Sequence, residues 1–190
     1  MGFALHRQSD QDAIAGPVMP RLLAMPGEAC CITTREKQVM DRLERLEAIE
    51  AISALKARYF RLIDTKAWDA LPALFTADLQ VIAPDGRVWL KGGQAYAASL
   101  RFGLENAVSC HQGFTAEIEM IDAASARGIW AMQDIIEWAD RHPREGWKAI
   151  TGRGHYHESY RRVDGEWRIA TLTLTRLQLD ITWPQGEAPA

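Results

Sequence analysis

The stretch that decides the fold is Ala57-Arg58-Tyr59-Phe60-Arg61-Leu62-Ile63-Asp64-Thr65-Lys66-Ala67-Trp68-Asp69-Ala70-Leu71. It reads as the end of one amphipathic helix, carrying Tyr59 and Asp64, with a second short helix anchored by Trp68 following at once. Upstream, the helical period runs back to Asp41. Leu43, Leu46, Ile49, Ile52, Leu55, Tyr59, Leu62 and Ile63 recur mostly at steps of three and four, and charges fill the other face. Asp64 falls near the end of that helix, where the macrodipole disfavours negative charge. A carboxylate kept in an unfavourable place invites a functional reading.

Downstream, residues 68–75 read as the short helix, with Pro72 placed uncomfortably inside it. A strand over 79–83, the turn Pro84-Asp85-Gly86-Arg87 and a return strand over 88–90 come next. Gly92-Gly93 breaks that strand and a third helix spans 94–102. The remainder is β. Residues 114–121 alternate with Phe114, Ala116, Ile118 and Met120 on one face, and 126–138 alternate with Trp130, Met132, Asp134, Ile136 and Trp138 on one face. Two long strands, 147–163 and 166–181, are joined by Asp164-Gly165, a strong hairpin signal. Helices followed by a meander predict an α+β domain, its N-terminal helices packed on a curved antiparallel sheet that encloses a pocket.

The predicted domain covers residues 39–183, preceded by a flexible extension over 1–38 and followed by a tail over 184–190. The extension holds Gly16, Pro17, Pro20, Pro26 and Gly27 and shows no sustained period. An over-long start assignment, with Met40 as the first residue, is an alternative reading of it. At 190 residues, 47% apolar and 25% charged, the chain suits one domain with a full core. A net charge of −3 with scattered basic residues gives no reason to expect nucleic acid as partner. No run of about 18 apolar residues predicts a membrane span. Cys30, Cys31 and Cys110 form neither a disulfide framework nor a zinc motif, which makes a reducing cytoplasm the default.

Several polar residues sit where apolar ones are expected. Asp134 stands among apolar neighbours, so its carboxylate must be protonated, paired or facing a wet cavity, or else reach solvent at a strand edge. Arg176 shares parity with Leu172 and Leu174; it either turns inward toward a carboxylate or anionic ligand or snorkels at the strand end. His111 precedes the alternating run with the opposite parity, and a bulge at Gly113 would turn it inward. Tyr59 continues the apolar stripe of the first helix, with a hydroxyl that needs a partner. His155 and His157 share a strand face but lack an evident third ligand, so no metal is expected. Trp130, Met132, Trp138, Leu172 and Leu174, together with His155 and His157, are the expected substrate-pocket lining.

Residues 41–182 resemble the SnoaL-like branch of the NTF2-like superfamily, a cystatin-like α+β cone. The resemblance rests on Arg58-Tyr59-x4-Asp64, on Trp68-Asp69-Ala70-Leu71-x2-Leu74-Phe75-Thr76-x-Asp78, on His111, and on Gly154-x-Tyr156-His157-x2-Tyr160-x3-Asp164-Gly165-x-Trp167-Arg168-Ile169. In its polar residues the chain is most similar to the bile-acid dehydratases. Scytalone dehydratase and the lindane dehydrochlorinase are more distant relatives. The resemblance implies a catalytic set of Tyr59, Asp64, His111, Asp134 and Arg176, no cofactor, a small hydrophobic and possibly polycyclic carbonyl substrate, and a homo-oligomer, dimer or trimer. It also leaves open a non-catalytic ligand-binding domain and a structural subunit like the small subunit of ring-hydroxylating dioxygenases. Trp167, Ile169 and the threonine-rich outer face of the last strand are the expected oligomer contact. His155 stands where many relatives carry Arg or Thr.

The chemistry follows from general principles. A C–H beside a carbonyl is weakly acidic, so its removal needs a base and a stabiliser for the developing enolate. Histidine, with a reference pKa of about 6.5, suits the base role near neutral pH. His111 is the expected base, with Asp64 or Asp134 fixing its tautomer and Tyr59 hydrogen-bonding the carbonyl or leaving oxygen. Arg176 would neutralise Asp134 or hold an anionic part of the substrate.

Overall fold

The computed structural model describes residues 41–185, so the expected extension over 1–38 lies outside the described residues, as does the tail beyond residue 185. Helix α1, Arg42–Asp64, begins at a reciprocal cap. The Asp41 carboxylate accepts from the Glu44 N–H at 2.8 Å, and the Glu44 carboxylate accepts from the Asp41 N–H at 3.2 Å. At the other end Thr65 Oγ1 donates to the Arg61 carbonyl, and Lys66 takes a left-handed φ of 60°. That sharp stop aims Asp64 out of the final turn. The short helix Trp68–Leu74 is a 3₁₀ helix rather than an α-helix. Its tighter turn tolerates Pro72, which has no N–H to lose. Trp68, Leu71 and Leu74 bury one side of it.

The expected α+β architecture is borne out, with one junction of different sense. Strands β1 (Phe75–Ile82), β2 (Val88–Lys91), β3 (Ala107–Met120), β4 (Ser125–Trp138), β5 (Ala149–Val163) and β6 (Glu166–Thr182) form a six-stranded sheet in the order β2-β1-β6-β5-β4-β3. All neighbours are antiparallel except β1 and β6, which pair parallel. No hairpin links β1 to β6, so no tight turn dictates their relative direction. Helix α2, Gly93–Leu104, lies between β2 and β3 in the chain and packs on the 3₁₀ helix and β1. The core forms between these helices and the inner sheet face, where Tyr59, Leu71, Leu79, Trp138, Tyr160 and Ile169 are almost wholly removed from water.

Parity along β3 and β6 departs from simple alternation. On β3 the register slips between Phe114 and Glu117, and Thr115 carries a φ of 21°. The bulge therefore lies just beyond Gly113. Ser109, His111 and Gly113 face inward before it, and Ala116, Ile118 and Met120 after it; Phe114 ends on the outer face, 45% exposed. Gly113 instead makes room for α1, because a side chain there would collide with the Phe60 ring. Its bare Cα lets the helix approach β3 closely. On β6 a slip beside Tyr160 puts both Trp167 and Ile169 into the core. They are therefore not available as an outer oligomer contact.

A buried ionic network ties α1 to the sheet. Lys56 Nζ meets Glu158 Oε1 at 2.6 Å with both side chains fully buried. Tyr160 donates to the other Glu158 oxygen at 2.5 Å, and Trp130 Nε1 donates to the Tyr160 hydroxyl at 2.8 Å. The Lys56 ammonium also lies 3.5 Å from the Tyr156 ring centroid, 4.3 Å from that of Tyr59 and 4.6 Å from that of Phe60. Three aromatic faces and one carboxylate thus replace its hydration shell. Among the described residues no helix is long and apolar enough to cross a membrane.

Candidate active site

Asp64 leaves the end of α1 and meets β3 at His111. Its Oδ1 lies 2.7 Å from His111 Nδ1, and its Oδ2 accepts the His111 backbone N–H at 2.9 Å. One carboxylate thereby grips both ring and backbone of the same residue. Ser109 Oγ donates to Asp64 Oδ1 at 2.9 Å and accepts from Lys66 Nζ at 2.8 Å. Burial pushes the Asp64 carboxyl up, but the hydrogen bonds from His111 and Ser109 outweigh it and hold the group below its usual range. An ionised carboxylate only accepts, so His111 Nδ1 must carry the proton. In the neutral ring this leaves the Nε2 lone pair as the basic site. Phe60 stacks on the imidazole, centroids 6.5 Å apart and planes 11° off parallel, which the side-chain gap at Gly113 permits.

Arg176, still partly open to solvent, answers the burial of Asp134. The guanidinium forks onto the carboxylate with two bonds of 2.6 Å, Nη1 to Oδ1 and Nη2 to Oδ2. The pair bridges β4 and β6 across β5, where the residue opposite Asp134 is Gly152. A Cβ on Gly152 would run into both Arg176 Nη1 and Asp134 Oδ1. Glycine inside a strand here marks a seat for the ion pair. Gly152→Ala is expected to cost about 1–3 kcal/mol by overpacking, a fall in Tm of roughly 3–10 °C for a domain of this size. Thermal unfolding followed by circular dichroism measures it. An unchanged Tm would mean that the pair moves aside without loss.

His111, Asp134 and Arg176 line one cavity of about 220 Å³, open on one side and walled by Leu100 and Leu104 of α2, Trp138 of β4 and Trp147 of the following loop. A wider groove of about 470 Å³ between α1 and β3 reaches the other side of His111 and Asp64 and is lined by Phe60, Phe114 and Trp130. Tyr59 is placed differently. Its hydroxyl lies in the core, 2.9 Å from the hydroxyl of Tyr96 on α2. One bond between two phenols consumes one proton, so the pair retains a second O–H. Burial raises both phenols, Tyr96 to about 12, which keeps both protonated near neutral pH.

The expected pocket lining divides into three groups. Trp138 lines the cavity and Trp130 the groove; Met132 packs its sulfur 4.0 Å from Arg176 Nη1. Leu172 is buried in the core and Leu174 half-buried on the same face. His155 and His157 do not join them. Tyr156 and Glu158 take the inner positions of β5, so strict alternation turns both histidines to the outer face, where His157 Nε2 meets Thr175 Oγ1 at 3.2 Å. Among the described residues no cluster of His, Cys, Asp or Glu is placed to hold a metal ion. Lys66, Ser109, Gly152 and His142 escaped the sequence reading. Only Gly152 had a legible signal, an isolated glycine in a strand.

A family model for the SnoaL-like domain matches residues 44–173. A probable cyclase from Gibberella zeae is 28% identical over 132 residues, which cover 64% of this chain and 86% of that protein. Among solved structures, a candidate scytalone dehydratase from Novosphingobium aromaticivorans aligns with a TM-score of 0.63 at 20% identity, over 77% of this chain and 98% of that one. The LinA-type3 hexachlorocyclohexane dehydrochlorinase from Novosphingobium barchaimii aligns with a TM-score of 0.62 at 20% identity, over 79% and 100%. At such identities the structural likenesses speak for the fold.

Proposed function

The chain belongs to the SnoaL-like domain family, and on that premise we propose that it is a lyase or isomerase working by proton transfer from carbon. The observation that carries this reading is the 2.7 Å contact between Asp64 and His111 Nδ1, beside a cavity that His111 also lines. His111 Nε2 takes the proton next to a carbonyl, and the C–H electrons move into the enolate. In a dehydration they then form a C=C bond as the β-hydroxyl departs as water, taking the proton back from the His111 imidazolium; in an isomerisation that proton returns at another carbon. Asp64 stabilises the imidazolium formed in either case. Tyr59, its hydroxyl paired with that of Tyr96 in the core, is left to packing in this reading. Arg176, tied to Asp134 by two of its five donors, directs the rest at an anionic or carbonyl group. Nothing in this series of steps calls for a cofactor.

The cavity of about 220 Å³ is lined by Leu100, Leu104, Trp138 and Trp147, and the groove of about 470 Å³ adjoins it at His111. The substrate this lining suits is a hydrophobic hydroxy-ketone. The test is incubation with a panel of cyclic β-hydroxy-ketones, read by ultraviolet absorbance of the conjugated product. Exchange of the α-hydrogen in D2O is followed in parallel. A protein that catalyses neither above the His111→Ala background does not carry out this chemistry.

We further propose that a second copy covers the outer sheet face. Val108, 81% exposed, and Ile135, Ile129 and Phe114, each more than a third exposed, lie on that face. Their cover by a second subunit would remove apolar surface from water. Sedimentation velocity should show a dimer or trimer, and Val108→Glu with Ile135→Glu should yield monomer. A wild-type monomer at micromolar concentration would refute the assignment.

A further inference from the structure

Beyond the dyad, the cavity holds a second histidine that the mechanism above leaves idle. His142 lies half-buried in the loop between β4 and β5. Its backbone N–H donates to the Trp147 carbonyl at 2.7 Å, and its carbonyl accepts from the Gly146 N–H at 3.0 Å. The ring stands edge-on to Trp138, centroids 5.1 Å apart, and tilted against Trp147 at 5.7 Å. Nδ1 faces two backbone donors, the N–H of Glu145 at 2.9 Å and of Arg144 at 3.2 Å. An imidazole nitrogen that accepts from two N–H groups cannot itself bear hydrogen, so the proton of the neutral ring sits on Nε2. That nitrogen looks over the Gly103 backbone, 3.4 Å from where a side chain would begin. No described residue hydrogen-bonds it. The ring lines the same cavity as His111, Asp134 and Arg176.

Resting on the proposed function, we infer that His142 is a substrate-binding residue whose Nε2–H donates a hydrogen bond to an oxygen of the bound compound, at the side of the cavity formed by Gly103. The two histidines then divide the work by tautomer. Asp64 fixes hydrogen on Nδ1 of His111 and leaves Nε2 bare as a base. The Arg144 and Glu145 amides fix hydrogen on Nε2 of His142 and make it a donor. Burial lowers the pKa of His142, with Glu145 and Arg144 pulling in opposite directions, which favours the neutral ring that this role needs. The ligand class this selects is a flat, largely apolar compound with an accepting oxygen, seated between Trp138, Trp147 and Leu104.

The test uses the full chain with 15N-labelled histidine and two probes of one shape, p-cresol and toluene. Nitrogen–proton correlation should place the His142 hydrogen on Nε2. Addition of p-cresol should shift that Nε2–H resonance, and toluene should not. His142→Phe keeps the aromatic packing and removes the donor. It should weaken p-cresol binding by about fivefold, as expected for one neutral hydrogen bond, and leave toluene binding within about twofold. A hydrogen on Nδ1, or an Nε2–H unmoved at the solubility limit of p-cresol, overturns the assignment, and so does an equal loss for both probes. If His142→Phe does not fold, the wild-type resonance decides alone. None of these readouts needs turnover, so loss of the proton-transfer reading would show separately, in the α-hydrogen exchange of the wild type.

Discussion

His111→Ala should lower turnover of any substrate found by the hydroxy-ketone panel by at least about a hundredfold, the usual consequence of losing a positioned general base. The size follows from how much converges on this one side chain. Asp64 supplies the tautomer and counter-charge through bonds of 2.7 Å to the ring and 2.9 Å to the backbone. Alanine keeps the backbone bond, so β3 and the end of α1 should stay where they are. The loss is then chemical rather than structural, and an unchanged far-ultraviolet circular dichroism spectrum with an unchanged Tm verifies that. Both kcat and kcat/KM should fall together, because the interaction removed is one made with the transition state. Undiminished turnover in a folded His111→Ala protein would take residue 111 out of the mechanism, and with it the proposed reaction.

Lys56→Met should destabilise the fold by about 3–5 kcal/mol, the range for breaking one side of a buried pair, lowering Tm by about 10 °C or more. Glu158 would lose its only ionic partner among the described residues at a site wholly out of water, keeping just the hydrogen bond from Tyr160. Burial already depresses the pKa of Lys56, and the Glu158 charge offsets that. The pair is therefore a compensation for burial rather than a free gain. The double change Lys56→Met with Glu158→Leu should recover most of the loss, since it leaves no charge to desolvate. A double variant no more stable than Lys56→Met would show that the aromatic cage around the ammonium, not the ion pair, dominates. The network also has a functional reach, because Lys56 sits over Phe60 and Phe60 stacks on His111. Weakening it should loosen the dyad before the fold is lost.

The residue pattern alone carried most of the architecture. Apolar steps of three and four carry α1 back to Asp41, and Asp164-Gly165 marks the β5–β6 hairpin. These signals are local: each depends on residues a few positions apart, so one-dimensional order contains them. The same locality made Asp134 and Arg176 stand out as polar residues sharing parity with apolar ones, and their pairing answers the cost that parity predicted. What pattern could not reach depends on contacts between distant segments. A bulge at Thr115 rather than Gly113 decides that Phe114 faces out while His111 faces in. Tyr59 spends its hydroxyl on Tyr96, 37 residues away. Lys56 looks like one more surface charge until Glu158, 102 residues on, meets it in the core. Periodicity follows from backbone geometry and is written residue by residue. Which polar atoms meet is settled only when strands and helices close over one another, because desolvation then makes every buried donor and acceptor find a partner.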